Sequence, residues 1–446
     1  MAEQSLTESL AAWLVDFRAR PRSNQILSVA RYYLLDWLGS AIAGGATGPG
    51  ARLIGYAKSQ PAGNCSVIGT NLAGSAEVAA LVNGALSHIV EMDDLDRGSV
   101  IHPGAAIIPA ALAIAEQEKL NGHAFLTAIA AGYEVAIRIG EAVGKKHYHY
   151  FHNTATCGIF GAAAAVGHLL ELEAEQLVWA LGNAGTQAAG LWEFNTDGAM
   201  SKHLHAGRAA AGGVLAAVLA ARGFTGARSI LEGDRGFFAA TAPDANPEKV
   251  IAGLTDDDRP LKINGVSIKP HASCRHTHPA IDATLSLREQ IGDKTVEAVE
   301  ILSYQAALDL CDNPSPQTPY AAKFSLQYCV ASALQRGSVA LADFTPEAIN
   351  AADLRAILTR ITARVNPDFE ARYPNQWPAR VRVTLADGTT LRATVEHPKG
   401  DPENPLSMAE LEQKFGVLAA FGGQGDKVEA LLAWLESLAN DAPVAG

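Results

Sequence analysis

The sequence predicts a mainly α-helical protein with a large all-helical domain, a smaller α+β domain, and a chain that returns to the helical domain at its C-terminus. Its 446 residues exceed what one hydrophobic core usually supports, so two domains are expected. Apolar residues recur at helical spacing up to about residue 265, whereas alternating strand patterns appear only beyond residue 290. We place the predicted domains at residues 1–265, 266–399 and 400–446.

The first predicted domain consists of amphipathic or apolar helical segments rich in alanine and glycine, which let helices pack closely. The segment 50–72 is mixed, because Pro61, Gly63 and Gly69 interrupt any regular period. The predicted helices cover residues 6–18, 25–44, 75–90, 104–119, 122–143, 157–172, 174–190 and 205–222.

The second predicted domain mixes strands with helices. Residues 296–303 are predicted to form a strand, and the alternating runs 381–385 and 391–395 flank an Asp387-Gly388 turn, which predicts a hairpin. Helical patterns cover residues 279–291, 321–336 and 346–359. After a proline-containing linker, helices are predicted at 408–416 and 425–439, and we expect them to pack on the helical domain.

Composition excludes several classes of protein. A net charge of −12 argues against nonspecific nucleic-acid binding, but not against an anionic substrate, because local fields outweigh the total charge. Five cysteines without a C-x-x-C motif argue against zinc and iron–sulfur sites and are typical of a reducing compartment, so we expect a cytoplasmic protein. The N-terminus lacks the pattern of a signal peptide, and apolar runs such as 157–166 are too short or interrupted for a membrane span.

Histidines are clustered in the sequence. Ten of the 13 fall in four short windows, and each window also contains charged or hydroxyl side chains. We expect the windows to meet at one polar cavity. The windows contain His88 and His102; His147, His149 and His152; His203 and His205; and His271, His276 and His278.

The fourth window lies where the predicted architecture changes, which favours a site between domains. It also carries Lys269, just before Pro270, and Ser273 and Arg275 between Pro270 and Pro279. The alternative is a solvated basic loop that caps the helix starting near Pro279.

The first window contains four carboxylates within six residues, Glu91, Asp93, Asp94 and Asp96. Because crowded carboxylates repel one another, some should have raised pKa values or contact cations. Two alternatives stay open: a divalent metal site, because carboxylates and imidazoles are metal ligands, and an acidic cap for the following helix.

The second and third windows each precede or open a helix. A helix N-terminus favours a carboxylate ligand through its free N–H groups and its dipole. In the third window Lys202 and Arg208 offer the charges that clamp a carboxylate. The alternative for both windows is a polar helix cap.

Four segments in this order resemble the MmgE/PrpD family, which includes 2-methylcitrate dehydratase, cis-aconitate decarboxylase and iminodisuccinate epimerase. Their order and spacing match over essentially the whole chain, and together they are specific for the family but not for one member. The segments are His88 to His102, Phe151-His152-Asn153-Thr154, Met200 to His205, and Lys269 to Pro279.

The resemblance implies a large helical domain with a smaller α+β lid domain, a homodimer and no cofactor. It also implies a reaction at the carbon next to a carboxylate in a small di- or tricarboxylic acid. Three positions depart from the family pattern: Glu91 replaces the usual Asp, Leu95 replaces the usual Thr, and the tyrosine of the decarboxylases falls near Leu310. The positions that match the site residues of the family are His102, His152, Lys202, Lys269, Asp93 and Asp94.

The leading prediction is therefore a cofactor-independent lyase of the 2-methylcitrate dehydratase type. The alternatives are an epimerase of an iminodisuccinate-like dicarboxylate, a cis-aconitate-type decarboxylase, and a non-catalytic carboxylate-binding protein. We expect no catalytic metal, because lysines and arginines near the carboxylates repel cations, and no nucleic-acid or membrane partner. The expected catalytic residues are His102, His152, Lys202, Lys269, Glu91 and Asp93. The expected substrate-binding residues are Arg97, Ser99, Thr154, His205, Arg208, Ser273, Arg275, His276 and Asp94.

Overall fold

The computed structural model describes residues 5–20 and 23–444. The chain divides into two compact units. The helical unit comprises Met1–Ile89, Asp93–Val266 and Ser407–Gly446, and the α+β unit comprises Val90–Met92 and Ser267–Leu406. The outermost residues of the predicted domains, 1–4 and 445–446, lie outside the described residues, as do 21 and 22. The predicted domain boundaries, 1–265, 266–399 and 400–446, stay predictions.

The helical unit is built from long helices whose first turns are capped by side chains. Ser5 and Glu8 form a reciprocal capping box at the first helix, and Ser23 and Thr47 cap the next two. Two residue pairs, Cys65–Ser66 (β1) and Ala73–Gly74 (β2), form a small antiparallel ladder. The helices up to residue 241 are α1 (Leu6–Ala19), α2 (Asn24–Gly45), α3 (Gly48–Ser59), α4 (Ala76–Ile89), α5 (Pro103–Gln117), α6 (Gly122–Ala142), α7 (Gly144–Tyr150), α8 (Asn153–Thr156), α9 (Gly158–Leu169), α10 (Ala174–Gly185), α11 (Phe194–Asp197), α12 (Ser201–Ala221) and α13 (Phe237–Thr241).

The core of this unit surrounds α9, which is buried along its whole length. Small residues allow the helices to approach at the level of their backbones. A Cβ atom added to Gly161 of α9 would lie 2.6 Å from the carbonyl oxygen of Gly132 in α6. Larger residues at this crossing would push the two helices apart, so the glycines explain the close packing.

Helix α12 is long and apolar enough to cross a membrane by length and composition, and it is the only such helix among residues 5–20 and 23–444. In the structure 61% of its most apolar window is buried inside the protein. It packs on α4, where a Cβ atom at Gly207 would come within 2.2 Å of the Leu81 carbonyl oxygen. Packing in the core therefore accounts for its apolar sequence.

The α+β unit contains a four-stranded mixed sheet in the order β4-β3-β5-β6. The predicted hairpin is confirmed as the antiparallel pair β5–β6, whereas the parallel pairing of β3 with β4 was not predicted. Its strands are β3 (Val296–Ser303), β4 (Ile361–Val365), β5 (Ala379–Leu385) and β6 (Thr390–Val395). Its helices are α14 (His278–Ile291), α15 (Gln305–Cys311), α16 (Pro319–Lys323), α17 (Leu326–Arg336), α18 (Pro346–Ile349), α19 (Ala352–Leu358) and α20 (Pro367–Glu370).

The chain then contributes two C-terminal helices to the helical unit, α21 (Met408–Phe421) and α22 (Val428–Ala439). Helix α21 packs on α2, where the buried ammonium of Lys414 pairs with the buried carboxylate of Asp36. The predicted fold class, mainly α with a smaller α+β part, is confirmed, and 59% of the structure is helical.

Candidate active site

The predicted site residues fall into two groups, and each group lies within one of the units. The helical unit holds Asp93, Asp94, Arg97, Ser99, His102, His152, Thr154, Lys202, His205 and Arg208. The α+β unit holds Glu91, Lys269, Ser273, Arg275 and His276.

A buried carboxylate in the helical unit orients two imidazole rings. Oδ2 of Asp93 lies 2.6 Å from Nδ1 of His88 and 3.1 Å from Nδ1 of His102. The side chains of His88 and Asp93 are almost fully buried, whereas 12% of the His102 side chain remains exposed. His102 is therefore the member of this group that can contact a small molecule, and the Asp93 carboxylate lies beside its ring.

Local structure sets the position of His102. It immediately precedes Pro103, the first residue of α5, and its backbone N–H donates to the hydroxyl of Thr154 over 3.1 Å. Thr154 is completely buried in α8. The structure thus places Thr154, a predicted substrate-binding residue, as an anchor for the backbone of His102.

His152 lies beside this group as a buried imidazole. Its ring stacks on that of His88 with centroids 5.4 Å apart, and its Nδ1 lies 3.3 Å from Nδ1 of His205. Burial lowers the pKa of His152 well below its usual value, and the neighbouring charges of His88 and Lys202 lower it further. A neutral His152 at pH 7 can accept a proton.

Helix α12 brings a cation to the same region. Lys202 and His205 are three residues apart, so they share one face of the helix. Lys202 is buried, and after desolvation its charge is among the causes that lower the pKa of His205 to about 4. The region therefore combines imidazoles that stay neutral with a buried ammonium group.

An open cavity of about 600 Å³ adjoins this face of α12. His205, Arg208 and Gln187 contribute polar side chains to its lining, and Ile159 and Leu204 contribute apolar ones. Because His205 is half-buried and lines the cavity, a small molecule in the cavity can reach its ring; Glu193 and Asp197 also line the cavity.

Asp94 and Asp96, two carboxylates of the first histidine window, form hydrogen bonds within the protein. Asp94 accepts hydrogen bonds from the Tyr133 hydroxyl over 2.7 Å and from the Gly104 amide over 3.1 Å, so it caps α5. Ser99 donates its amide and its hydroxyl to Asp96, over 2.7 Å in each case. Burial raises the pKa of Asp94 well above its usual value and that of Asp96 to about 6. Arg97 is half-buried in the same loop.

His88, Asp93 and His102 are also candidates for a metal site, because their possible ligand atoms lie within 4.8 Å of one another. A metal ion would sit about 2.0–2.2 Å from each nitrogen and oxygen ligand. Neighbouring ligand atoms on an ion with such bonds lie about 2.8–3.6 Å apart, whereas Oδ2 of Asp93 lies only 2.6 Å from Nδ1 of His88. The geometry therefore suits direct contacts between the carboxylate and the rings better than a bridging ion.

We predict that activity does not depend on a bound metal. Treatment with EDTA followed by dialysis should leave kcat unchanged, and elemental analysis of active protein should find far less than one metal ion per chain. Full loss of activity with the chelator, restored by one particular metal, would contradict this prediction.

Three cysteines that are far apart in sequence lie near one another in the α+β unit. Burial raises the pKa of Cys311 well above its usual value, with the thiol of Cys274 as a neighbour, and raises that of Cys329 to about 12. Thiols held in this protonated state are poor metal ligands. The absence of a cysteine-bound zinc or iron–sulfur cluster stays a prediction.

The α+β unit contains a buried ion pair. Nζ of Lys269 lies 3.2 Å from Oε2 of Glu91, and both side chains are almost completely buried. Glu91 has a φ of 58°, a left-handed conformation that is costly for a residue with a side chain. Surrounding contacts must therefore hold the backbone at Glu91.

Sequence reasoning did not single out two further residues of this unit, Tyr320 and Lys323. Burial raises the pKa of Tyr320, and the negative charge of Glu91 raises it further, which places the phenol near that carboxylate. Lys323 donates hydrogen bonds to backbone carbonyl groups. Both residues lie in a short helix without a histidine or acidic cluster, so no local pattern could have identified them.

The predicted substrate-binding residues Arg275 and Ser273 have partners within the α+β unit. The guanidinium of Arg275 pairs with the carboxylate of Asp401 and donates to the Lys399 carbonyl over 3.1 Å. The hydroxyl of Ser273 lies 2.8 Å from that of Thr277. These contacts tie the 273–278 turn together and to the 398–401 loop, and substrate binding by either residue stays a prediction.

His276 lies in an aromatic cluster. Its ring stacks on Trp377 with centroids 4.2 Å apart, and its Nδ1 lies 2.7 Å from the Tyr304 hydroxyl. Desolvation lowers the pKa of His276 to about 3, and the charge of Arg275 contributes. His276 is therefore neutral in the folded protein at pH 7, and its contacts are those of a packed core residue.

This burial predicts a pH effect on stability. The unfolded chain protonates His276 below about pH 6.5, whereas the folded protein does so only near pH 3, so lowering the pH between these values favours unfolding. His276→Phe removes this contribution. Lowering the pH from 8 to 5 should therefore reduce the free energy of unfolding of wild type by about 2 kcal/mol more than that of the variant. Urea titrations at both pH values measure the difference, and the exposed His149→Phe is the control. An equal pH dependence of wild type and His276→Phe would contradict the prediction.

Comparisons with known proteins cover nearly the whole chain. The MmgE/PrpD N-terminal domain matches residues 8–249, and the MmgE/PrpD C-terminal domain matches residues 271–438. A cis-aconitate decarboxylase-like protein from Aspergillus oryzae is 26% identical, with 99% of this chain and 96% of that protein covered. The cis-aconitate decarboxylase of Homo sapiens is 26% identical over 98% of this chain and 92% of its own length. That of Aspergillus terreus is 26% identical over 99% and 96%, respectively.

Proposed function

The chain belongs to the MmgE/PrpD family, and on this premise we propose that it is a cofactor-independent lyase that removes a proton next to a carboxylate in a small di- or tricarboxylic acid. The relatives named cis-aconitate decarboxylase support lyase chemistry. The observation that carries the proposal is the neutral His152 beside the buried Lys202 and the Asp93-oriented His102.

A carbon acid beside a carboxylate is very weakly acidic, because deprotonation gives a doubly charged enediolate. Fixed cations in a water-poor site stabilise such an intermediate best. Lys202 and Lys269 supply buried ammonium groups. We assign to each of them the stabilisation of negative charge that grows during the reaction.

Acid and base roles follow from the surroundings of the two imidazoles. We assign to His152, which is neutral at pH 7, the role of the base that takes the proton from carbon; its lowered pKa makes the free ring a weaker base than an ordinary imidazole. His102, held by the carboxylate of Asp93, serves as the acid that protonates a leaving hydroxyl or the opposite face of the intermediate. In this proposal one imidazole acts as the base and the other as the acid.

The acidic residues of the first histidine window, Glu91 to Asp96, are divided between the two units. Glu91 belongs to the α+β unit and Asp93 to the helical unit, yet only one residue separates them in the chain. Glu91 pairs with Lys269, and Asp93 orients His102. The acidic window therefore contributes to both groups of charged residues.

For the specific reaction we propose dehydration of a 2-hydroxy tricarboxylic acid of the 2-methylcitrate type. The second candidate is decarboxylation of a cis-aconitate-like acid, which the curated relatives favour. Leu95, which stands where the family usually has Thr, is buried and offers no hydroxyl to a substrate.

Product analysis by NMR separates these reactions. With 2-methylcitrate or citrate a dehydratase forms an alkene and water, whereas with cis-aconitate a decarboxylase releases CO2. An epimerase would change only the configuration of an iminodisuccinate-like substrate. A binding protein would gain thermal stability from one of these acids and form no product. That last outcome would overturn the proposed lyase function.

We also propose that the protein is a homodimer, because its helices carry more apolar surface than one core needs. Within the described residues, Leu191, Met200 and Leu204 are large apolar side chains with 45% or more of their surface exposed. Light scattering at micromolar concentration should give twice the chain mass of 46.7 kDa. A clean monomer under these conditions would contradict the proposal.

A further inference from the structure

Lys323 links two distant segments of the chain within the α+β unit. Its ammonium group donates to the carbonyl oxygen of Val90 over 2.7 Å and to that of Ala272 over 2.9 Å. Its own backbone carbonyl accepts a hydrogen bond of 2.9 Å from the amide of Cys274. The side chain is buried, and the ring of Phe344 lies 4.8 Å from the ammonium. Lys323 therefore contacts both segments through its side chain, and it contacts the segment that contains Ala272 and Cys274 through its backbone as well.

These two segments carry the buried ion pair. Val90 directly precedes Glu91, whose backbone is left-handed, and Ala272 follows Lys269 by three residues. A 3.2 Å contact between Glu91 and Lys269 requires that both backbones stay at a fixed separation. The hydrogen bonds of Lys323 to the carbonyl groups of residues 90 and 272 fix that separation.

We propose that Lys323 is a positioning residue, which holds the backbones at Val90 and Ala272 so that Glu91 and Lys269 stay paired. Two of its three ammonium protons go to carbonyl oxygens, and in this proposal Lys323 acts through the Glu91–Lys269 pair. The kinetic consequence of this inference rests on the proposed function, whereas its structural consequence does not.

The kinetic test compares Lys323→Met with Lys414→Met. Both lysines are buried to the same extent, but Lys414 pairs with Asp36 in the helical unit. Lys323→Met should lower kcat by about tenfold or more with little change in KM, because misplacing a reacting group by about 1 Å is enough for such a loss. In a Glu91→Gln background the same substitution should cost much less, because both changes disrupt one unit. Lys414→Met should lower Tm and leave kcat unchanged.

Two kinetic results would overturn the inference. One is an unchanged kcat in Lys323→Met while Glu91→Gln lowers kcat. The other is a double variant whose loss of kcat equals the product of the losses in the two single variants. A wild-type protein without turnover contradicts the proposed function instead, and the structural test then decides about Lys323.

The structural test is amide hydrogen exchange followed by mass spectrometry. Peptides covering residues 88–96 and 266–278 should exchange faster in Lys323→Met than in wild type, and the same peptides should be unchanged in Lys414→Met. Equal exchange of both peptides in Lys323→Met and wild type would overturn the inference. If Lys323→Met does not fold, Lys323→Gln, which keeps amide protons for one carbonyl, is measured with the same two outcomes.

Discussion

His102→Gln is expected to lower kcat by about a hundredfold or more with little change in KM. Glutamine is close in size to histidine and can donate a hydrogen bond to Asp93, but it cannot transfer a proton at neutral pH. In wild type the ring lies 3.1 Å from the Asp93 carboxylate and remains partly exposed, so a substrate can contact it. Steady-state kinetics on the substrate identified by product analysis measure the effect.

A matched control separates proton transfer from a structural role. His168 is a buried histidine of α9 whose ring lies 6.1 Å from that of Phe17. His168→Gln should lower Tm and leave kcat unchanged. If His102→Gln likewise lowered only Tm, His102 would serve the start of α5 alone, and the proposed acid role would be wrong.

Lys269→Ala is expected to lower kcat/KM by about a hundredfold, because an ammonium aimed at a developing negative charge contributes most in the transition state. The variant should also bind an unreactive tricarboxylate inhibitor more weakly. Lys269 is completely buried beside Glu91, so the substitution has a second effect. It leaves a buried carboxylate without its cation, which typically costs about 3–5 kcal/mol of stability.

The double variant Lys269→Ala/Glu91→Gln distinguishes the two effects. Replacing the carboxylate by a neutral amide removes the unpaired charge, so Tm should recover at least partly. The value of kcat/KM should stay low, because the cation is still missing. Recovery of kcat/KM together with Tm would show that Lys269 serves only the folded structure.

Regular periodicity made most of the fold predictable. The helix predicted at 122–143 is observed at Gly122–Ala142, and the strand at 296–303 agrees with β3. The segment 50–72 lacked a clear period, yet α3 forms there because Leu53 and Ile54 pack on the apolar cluster around Val82. The helix predicted at 321–336 is divided, because Ser325 caps a new helix. Nonlocal packing thus formed a helix at α3 that the periodicity did not predict, and one capping residue divided the helix predicted at 321–336.

The candidate site was predictable where its partners are close in sequence. Asp93 and His102 lie in one window, so their contact was within reach of sequence reasoning. The partners of Asp94 and Lys323 lie far away in the chain, at Tyr133 and Val90. A residue type alone does not reveal such contacts, which explains why the sequence does not single out Lys323; substrate binding by Asp94 stays a prediction.

The central claim is that the protein removes or adds a proton at the carbon next to a carboxylate. Incubation with 2-methylcitrate, citrate, cis-aconitate and an iminodisuccinate-like acid in D2O, followed by NMR, tests it whichever bond breaks afterwards. The account predicts that the wild type places deuterium at that carbon of one substrate or its product, and that His152→Gln does so far more slowly. Binding of one of these acids, seen as a raised Tm, without deuterium incorporation or product would contradict the account.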